Sequence, residues 1–240
     1  MADPAEAARP TSGNARLCFV LTVVVLVGFS VARAFGYVGP PIVSAFTLTA
    51  AILLVAWASG MTPADLGLAR QDLPAGLRYG LGAFALVVLV LVVAAVIPFT
   101  DSFLHDSRAQ ISGGRLAYQV GVTVVLLTAV PEELAFRGAL LGSALGLWPQ
   151  RSATIVSSAL FGLWHVWPTL DTMSDNPAVS GASGSLAGQV GVVLGAVVVT
   201  FVAGLLFCWL RLRSRSLLAS FLAHVATNGV ALVVAWFVVH

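Results

Sequence analysis

Apolar residues fall in long runs along the chain, separated by short polar stretches, and run length carries the first inference. A helix crossing the ~30 Å hydrocarbon core of a bilayer needs about 20 mainly apolar residues, each rising about 1.5 Å. On that rule the sequence predicts seven spanning helices, at about 17–38, 41–59, 76–98, 116–146, 151–168, 186–210 and 216–239. Pro40 and Pro41 separate the first two. Gly60 to Pro74 reads as a polar loop punctuated by Pro and Asp. The stretch 99–114 carries Asp101, His105, Asp106 and Arg108, with room for a short interfacial helix. Pro168 to Ser185 reads as a Ser-, Gly-, Asp- and Asn-rich loop without Arg. There is no internal repeat and no separate soluble domain. The expected architecture is all-α: a polytopic transmembrane helical bundle of about seven helices, eight if one segment escapes the count. A polar tail at 1–16 precedes a single membrane domain at 17–240.

Composition strengthens this picture. Hydrophobic residues make up 59% of the 240 and charged residues 9%, against about 25% charged in soluble domains. Net charge is only +2, and all 12 basic residues are Arg. No basic run interleaves with aromatics, so a nucleic-acid partner is not expected. The partner implied is the lipid bilayer. Cys18 and Cys208 each lie within an apolar stretch and offer neither a disulfide framework nor a metal knuckle. Ala32-Arg33-Ala34 resembles a small-x-small cleavage box, so a cleaved secretory signal is an alternative for the first segment. The arginine inside that box and the apolar residues continuing to Val38 favour an uncleaved first span. Arginine placement sets the expected orientation. With the N-terminus inside, eight arginines (9, 16, 70, 78, 151, 211, 213, 215) face the cytoplasm and three (33, 108, 115) face outward. The positive-inside rule then predicts a cytoplasmic N-terminus.

Candidate chemistry comes from the ionisable residues placed where lipid is expected. Of ten acidic residues, only Glu132 and Glu133 fall inside a predicted span. Among the histidines only His165 and His224 are embedded, and among the asparagines only Asn228. An ionised side chain at the bilayer centre costs about 2.5–3.5 kcal/mol on insertion scales, so such residues point to function by default. Glu133 and Arg137 are spaced i,i+4 with the acid first, which predicts an ion pair on one helix face. Glu132 is rotated about 100° away and need not share that arginine. His224 and Asn228 are also i,i+4, and so are Phe161 and His165, which predicts an aromatic wall one turn from the imidazole. Pro131 removes a backbone donor and crowds the carbonyl of Leu127, so the helix is expected to kink and wall a hydrated chamber. Counted from the helix ends, Glu132, His165 and Asn228 lie roughly 20 Å deep, with His224 about one turn nearer. Taken singly, each group has a plainer reading: a structural ion pair, an interhelical histidine bond, packing glue. Trp148, Trp164 and Trp167 read as interfacial anchors near helix ends. The weight comes from three helices each contributing polar groups while almost no other ionisable residue is embedded.

Glu132-Glu133-Leu-Ala-Phe-Arg137, Phe161-Gly-Leu-Trp-His165 and His224-Val-Ala-Thr-Asn228 form EExxxR, FxxxH and HxxxN motifs in that order. The set resembles the CAAX protease and bacteriocin-processing family of intramembrane proteases. This abortive-infection-type family includes the type II CAAX prenyl endopeptidases. The motifs cover about 116–235, and Asp65-Leu-Gly-Leu resembles the family's usual loop after the second span. The resemblance implies a protease domain with its catalytic helices within 116–239, in a bacterial-type plasma membrane. It implies that Glu132 activates water, that Glu133 and Arg137 support it, and that His165 works with the glutamate. His224 and Asn228 would stabilise the tetrahedral intermediate or hold a metal. The implied substrate is a membrane-associated peptide or protein, prenylated or bacteriocin-like.

Two routes to the activated water stay open on the residues. In one, no cofactor is required, because a partly dry cavity makes a carboxylate a better base near neutral pH, and imidazole and carboxamide groups supply oxyanion donors. In the other, Glu132, His165 and His224 ligate Zn²⁺ with an open water position. The absence of a HExxH pair and the weakness of Asn as a zinc ligand favour the first, although the family is widely labelled as metalloproteases. Competing with proteolysis are a non-enzymatic immunity or partner-binding protein and a proton-coupled transporter. Transporters favour inverted repeats, and the sequence has none.

Overall fold

A computed structural model of the chain describes residues 14–97 and 104–240. The described residues are helical with connecting turns and contain no strand. Helix α1 spans Ala15–Ala34, α2 Pro41–Ala58 and α3 Leu73–Ala95. A helical run at 113–145 forms α4, followed by α5 at Gln150–Trp164 and the short α6 at Val166–Thr172. Helix α7 covers Pro177–Ala182, α8 Leu186–Ser214, and α9 closes the chain at Leu217–Val239. Sequence sets the starts. Asn14, Ser112, Ser185 and Ser216 each accept a backbone N–H from the first turn of the helix that follows, satisfying donors that a helix leaves unpaired. Pro41 occupies the first turn of α2, where its missing N–H costs nothing.

Among the described residues five helices are long and apolar enough to cross a membrane: α1, α2, the run Arg70–Ala95 that contains α3, α8 and α9. Of the seven expected spans, α4 and α5 are the two outside that set. Helix α5 has 15 residues, about 22 Å at 1.5 Å each, which is short of the bilayer core. Helix α4 is helical throughout but alternates in winding. Its α-helical turns are interrupted by π-helical stretches at Gln119–Ala129 and Leu134–Leu140. Pro131 sits in the four-residue α segment between them. The amide it lacks and the carbonyl it crowds are accommodated by wide turns on both sides. The predicted loop at 168–185 contains part of α6 and all of α7. Arg9 and Asp101 lie outside the described residues.

The second half of α4 is the centre of the bundle. Residues 135–145 are all buried, and a helix apolar on every side belongs in a core rather than at a surface. Its small residues let neighbours approach. A Cβ on Gly142 would come within 2.6 Å of the Asp65 carbonyl oxygen in the α2–α3 loop. Phe136 and Leu140 pack in one cluster with Leu26 of α1, Ile52 of α2, Phe161 of α5, Phe207 of α8 and Ala223 of α9. Cys18 and Cys208 are both fully buried and unpaired. Helix α3 lies against the start of α9 through Gly76 and Gly80, the close-packing pattern of membrane helices. Large apolar side chains point outward instead, among them Leu86, Leu89 and Val93 on α3 and Val198, Val202 and Leu206 on α8. Contiguous exposed apolar surface of that extent matches a lipid environment. The protein is an integral membrane protein.

Candidate active site

Helices α4, α5, α8 and α9 bring most of the predicted polar residues together at one level. Glu133 and Arg137 form the expected pair, with Nη1 donating to Oε1 at 3.0 Å and side-chain exposures of 1% and 0%. The same Oε1 accepts from Nδ1 of His224 at 2.9 Å. A carboxylate only accepts, so the Nδ1 proton sits on that side and Nε2 is left unprotonated on a neutral ring. That Nε2 points to Oε2 of Glu132, 3.7 Å away. The gap exceeds a hydrogen bond and suits a bridging water. Oε1 of Glu132 accepts from the indole N–H of Trp164 at 3.0 Å. Oε2 of Glu132 has no hydrogen-bond partner among the described residues. The Oε2 of Glu133 likewise has none among the described residues, so the two neighbouring glutamates differ in what their Oε1 atoms hold and in what surrounds them.

Arg137 is held mainly by rings. Its Nε and Nη2 have no hydrogen-bond partner among the described residues, but the guanidinium lies 3.9 Å from the Phe161 ring centroid and 4.9 Å from that of Phe207. Such stacking is open to a planar, weakly hydrated cation and not to a compact ammonium. Phe207 also stacks on the His224 ring, with centroids 5.3 Å apart. Phe207 was missed in the sequence because it lies in the uniformly apolar run of α8, with no polar neighbour to mark it. Trp164, expected as an interfacial anchor, instead donates to Glu132 and stacks on Phe29 of α1.

A cavity of about 430 Å³ lies beside Glu132, between the α1–α2 hairpin and α4. Its wall includes Phe29, Arg33, Ser44, Pro131, Glu132 and Trp164. Pro131 thus borders a chamber, as expected. Arg33 also pairs with Asp171 of α6 at 2.8 Å, linking α1 to the segment after His165.

These residues sit in a stretch with a family signature. The family model for Rce1-like type II CAAX prenyl endopeptidases matches residues 115–230. That match, over just under half of the chain, supports membership of the CAAX protease family. Neither a curated protein nor a solved structure matches it. The matched stretch contains all three motifs and every contact of the Glu132–Glu133–Arg137–His224 cluster.

Against the motifs of this CAAX protease family, two residues stand apart. His165 ends α5 and its ring lies edge-on to Phe161 at 4.6 Å, as the i,i+4 spacing predicts. Its Nδ1 donates to the Phe161 carbonyl at 2.8 Å, and it is His224 that faces Glu132. Asn228 is exposed, and its side chain makes no hydrogen bond among the described residues. The cause is local: Ala226–Val230 is π-helical. In that winding residue i+5 rather than i+4 stacks over residue i, so the buried Gly229 takes the place predicted for Asn228. The predicted zinc ligands do not converge. Among the described residues no three His, Cys, Asp or Glu side chains gather where they could hold a metal. The Nδ1 of His165 is engaged by a carbonyl and that of His224 by Glu133, which leaves the Nε2 of each ring uncommitted.

Proposed function

We propose that the protein is an intramembrane endopeptidase that hydrolyses a peptide bond of a membrane-associated substrate with water activated by Glu132. The observation that supports this most directly is the pair of unshared acceptors, Oε2 of Glu132 and Nε2 of His224, 3.7 Å apart beside a cavity. A water between them gives one proton to each acceptor and turns its oxygen lone pairs toward a peptide carbonyl lying in the cavity. As the oxygen attacks, its proton passes to Oε2 of Glu132, and the carbonyl becomes a tetrahedral oxyanion. His165 is the residue we assign to that oxyanion, a role that requires its ring to carry a proton on Nε2 as well as the one that Nδ1 donates to Phe161. Collapse of the intermediate breaks the C–N bond, and Glu132 returns the proton to the leaving amine. Glu133 and Arg137 never meet the substrate in this scheme. Glu133 fixes the His224 tautomer, and Arg137 balances the charge of Glu133.

Purified protein incubated with a library of membrane-inserted peptides tests the proposal. Glu132→Gln is expected to lower cleavage by about 10²–10⁴-fold, the usual share of a general base. A chelator is expected to leave wild-type cleavage unchanged. Undiminished cleavage by the Gln variant ends the assignment, and loss of cleavage on chelation ends its metal-free form.

A further inference from the structure

We infer that Trp164 is the positioning residue of the catalytic glutamate: its indole N–H holds Oε1 of Glu132 so that Oε2 stays turned toward Nε2 of His224. The inference rests on the reading of Glu132 as the base. A glutamate has three side-chain torsions, and the last is a broad, roughly two-fold rotor. Oε2 has no partner among the described residues, so the orientation of the carboxylate depends on what grips Oε1. That grip is a single bond of 3.0 Å from Trp164.

The donor is itself immobilised. Its ring stacks on Phe29 of α1 at 5.9 Å and meets Phe136 of α4 edge-on at 5.9 Å. Trp164 is the last residue of α5, so its backbone is anchored where the helix ends at His165. An interfacial tryptophan would aim its N–H at headgroups or water; this one aims at a carboxylate that also borders the cavity. The hydrogen bond to a charged acceptor is the stronger kind, so it can set a geometry that the rings alone do not.

Three proteins separate positioning from mere packing. Incorporating 3-benzothienylalanine at position 164 keeps the shape of the ring and replaces N–H by sulfur. Trp164→Phe removes the N–H together with part of the ring, and Glu132→Gln removes the partner charge. We expect the isostere to unfold at the wild-type temperature, to lower kcat by about 10- to 100-fold and to leave KM within about twofold, as misplacement of a reacting group does. In a spectrum of indole ¹⁵N-labelled protein, the N–H signal absent from Trp164→Phe is expected to shift in Glu132→Gln. An isostere with wild-type kcat overturns the inference, as does one that raises KM alone, which is the mark of a cavity wall. An indole signal unmoved by Glu132→Gln overturns it too. If Glu132→Gln is inert while the isostere is fully active, only the role of Trp164 falls. If Glu132→Gln is itself fully active, the reading beneath it falls as well.

Discussion

Glu132 and Glu133 are adjacent in sequence yet belong to two different regions of the molecule. Glu133 lies in a sealed region, 1% exposed, with one oxygen shared by Arg137 and His224 and aromatic rings closing over the arginine. Glu132 lies in an open region, 12% exposed, bordering a cavity; each glutamate has an Oε2 without a hydrogen-bond partner among the described residues, but only that of Glu132 lies beside the cavity. The difference follows from the 100° step of a helix, which sends neighbours to different surroundings. A buried charge is tolerable when its partners are fixed, while a charge meant to react must border a space that substrate and water can enter. The sealed side supplies rigidity and the open side supplies reactivity.

Substitutions can break this contrast. The largest effect is expected from Glu133→Gln, which leaves Arg137 buried without its counter-charge. Breaking a buried pair costs about 3–5 kcal/mol, or roughly 10 °C in the thermal transition of a chain this size measured in detergent. Glu132→Gln is expected to keep that transition within about 2 °C while cleavage falls. Equal destabilisation by both variants would make the two glutamates structural and erase the distinction. Next is Arg137→Lys, which keeps the charge but loses the stacking on Phe161 and Phe207; about 2 kcal/mol of stability should go. Phe207→Leu removes one ring from both Arg137 and His224 and is expected to cost about 1–2 kcal/mol, read in the same melt.

The smallest effect lies outside both regions. In the α3–α4 connection, burial pushes the Asp106 carboxyl up, but hydrogen bonds and charge from Arg108 outweigh it and hold the group below its ordinary value. A lowered folded-state value stabilises above the unfolded one, about 3.9, and that stability is lost as pH falls through the folded value. Asp106→Asn should therefore cost no more than about 1 kcal/mol near neutral pH. Melts of variant and wild type should converge as the solution is acidified below the folded-state value.

Local spacing made much of the site legible. The Glu133–Arg137 pair and the Phe161–His165 contact both follow from i,i+4 geometry within one helix. Run lengths gave the helical membrane class and the borders of α1, α2, α8 and α9 to within a few residues. Contacts between helices were not legible. Nothing in the spacing says that His224 rather than His165 faces Glu132, or that Trp164 reaches across to it. Asn228 shows a different failure, because the i,i+4 argument assumes α-helical winding and the turn that carries it is π-helical. Helix α5 misled in a third way. Apolar length was read across His165, where the backbone leaves the helix.

The two cysteines of the chain have a practical consequence. Cys18 and Cys208 are both sealed inside the bundle, so the native surface presents no thiol to a water-soluble maleimide. A single cysteine introduced at Ser44, on the cavity wall, would be the sole point of attachment, with the wild-type chain as its blank. Labelling sealed vesicles from one side and then from both would report which compartment that chamber faces.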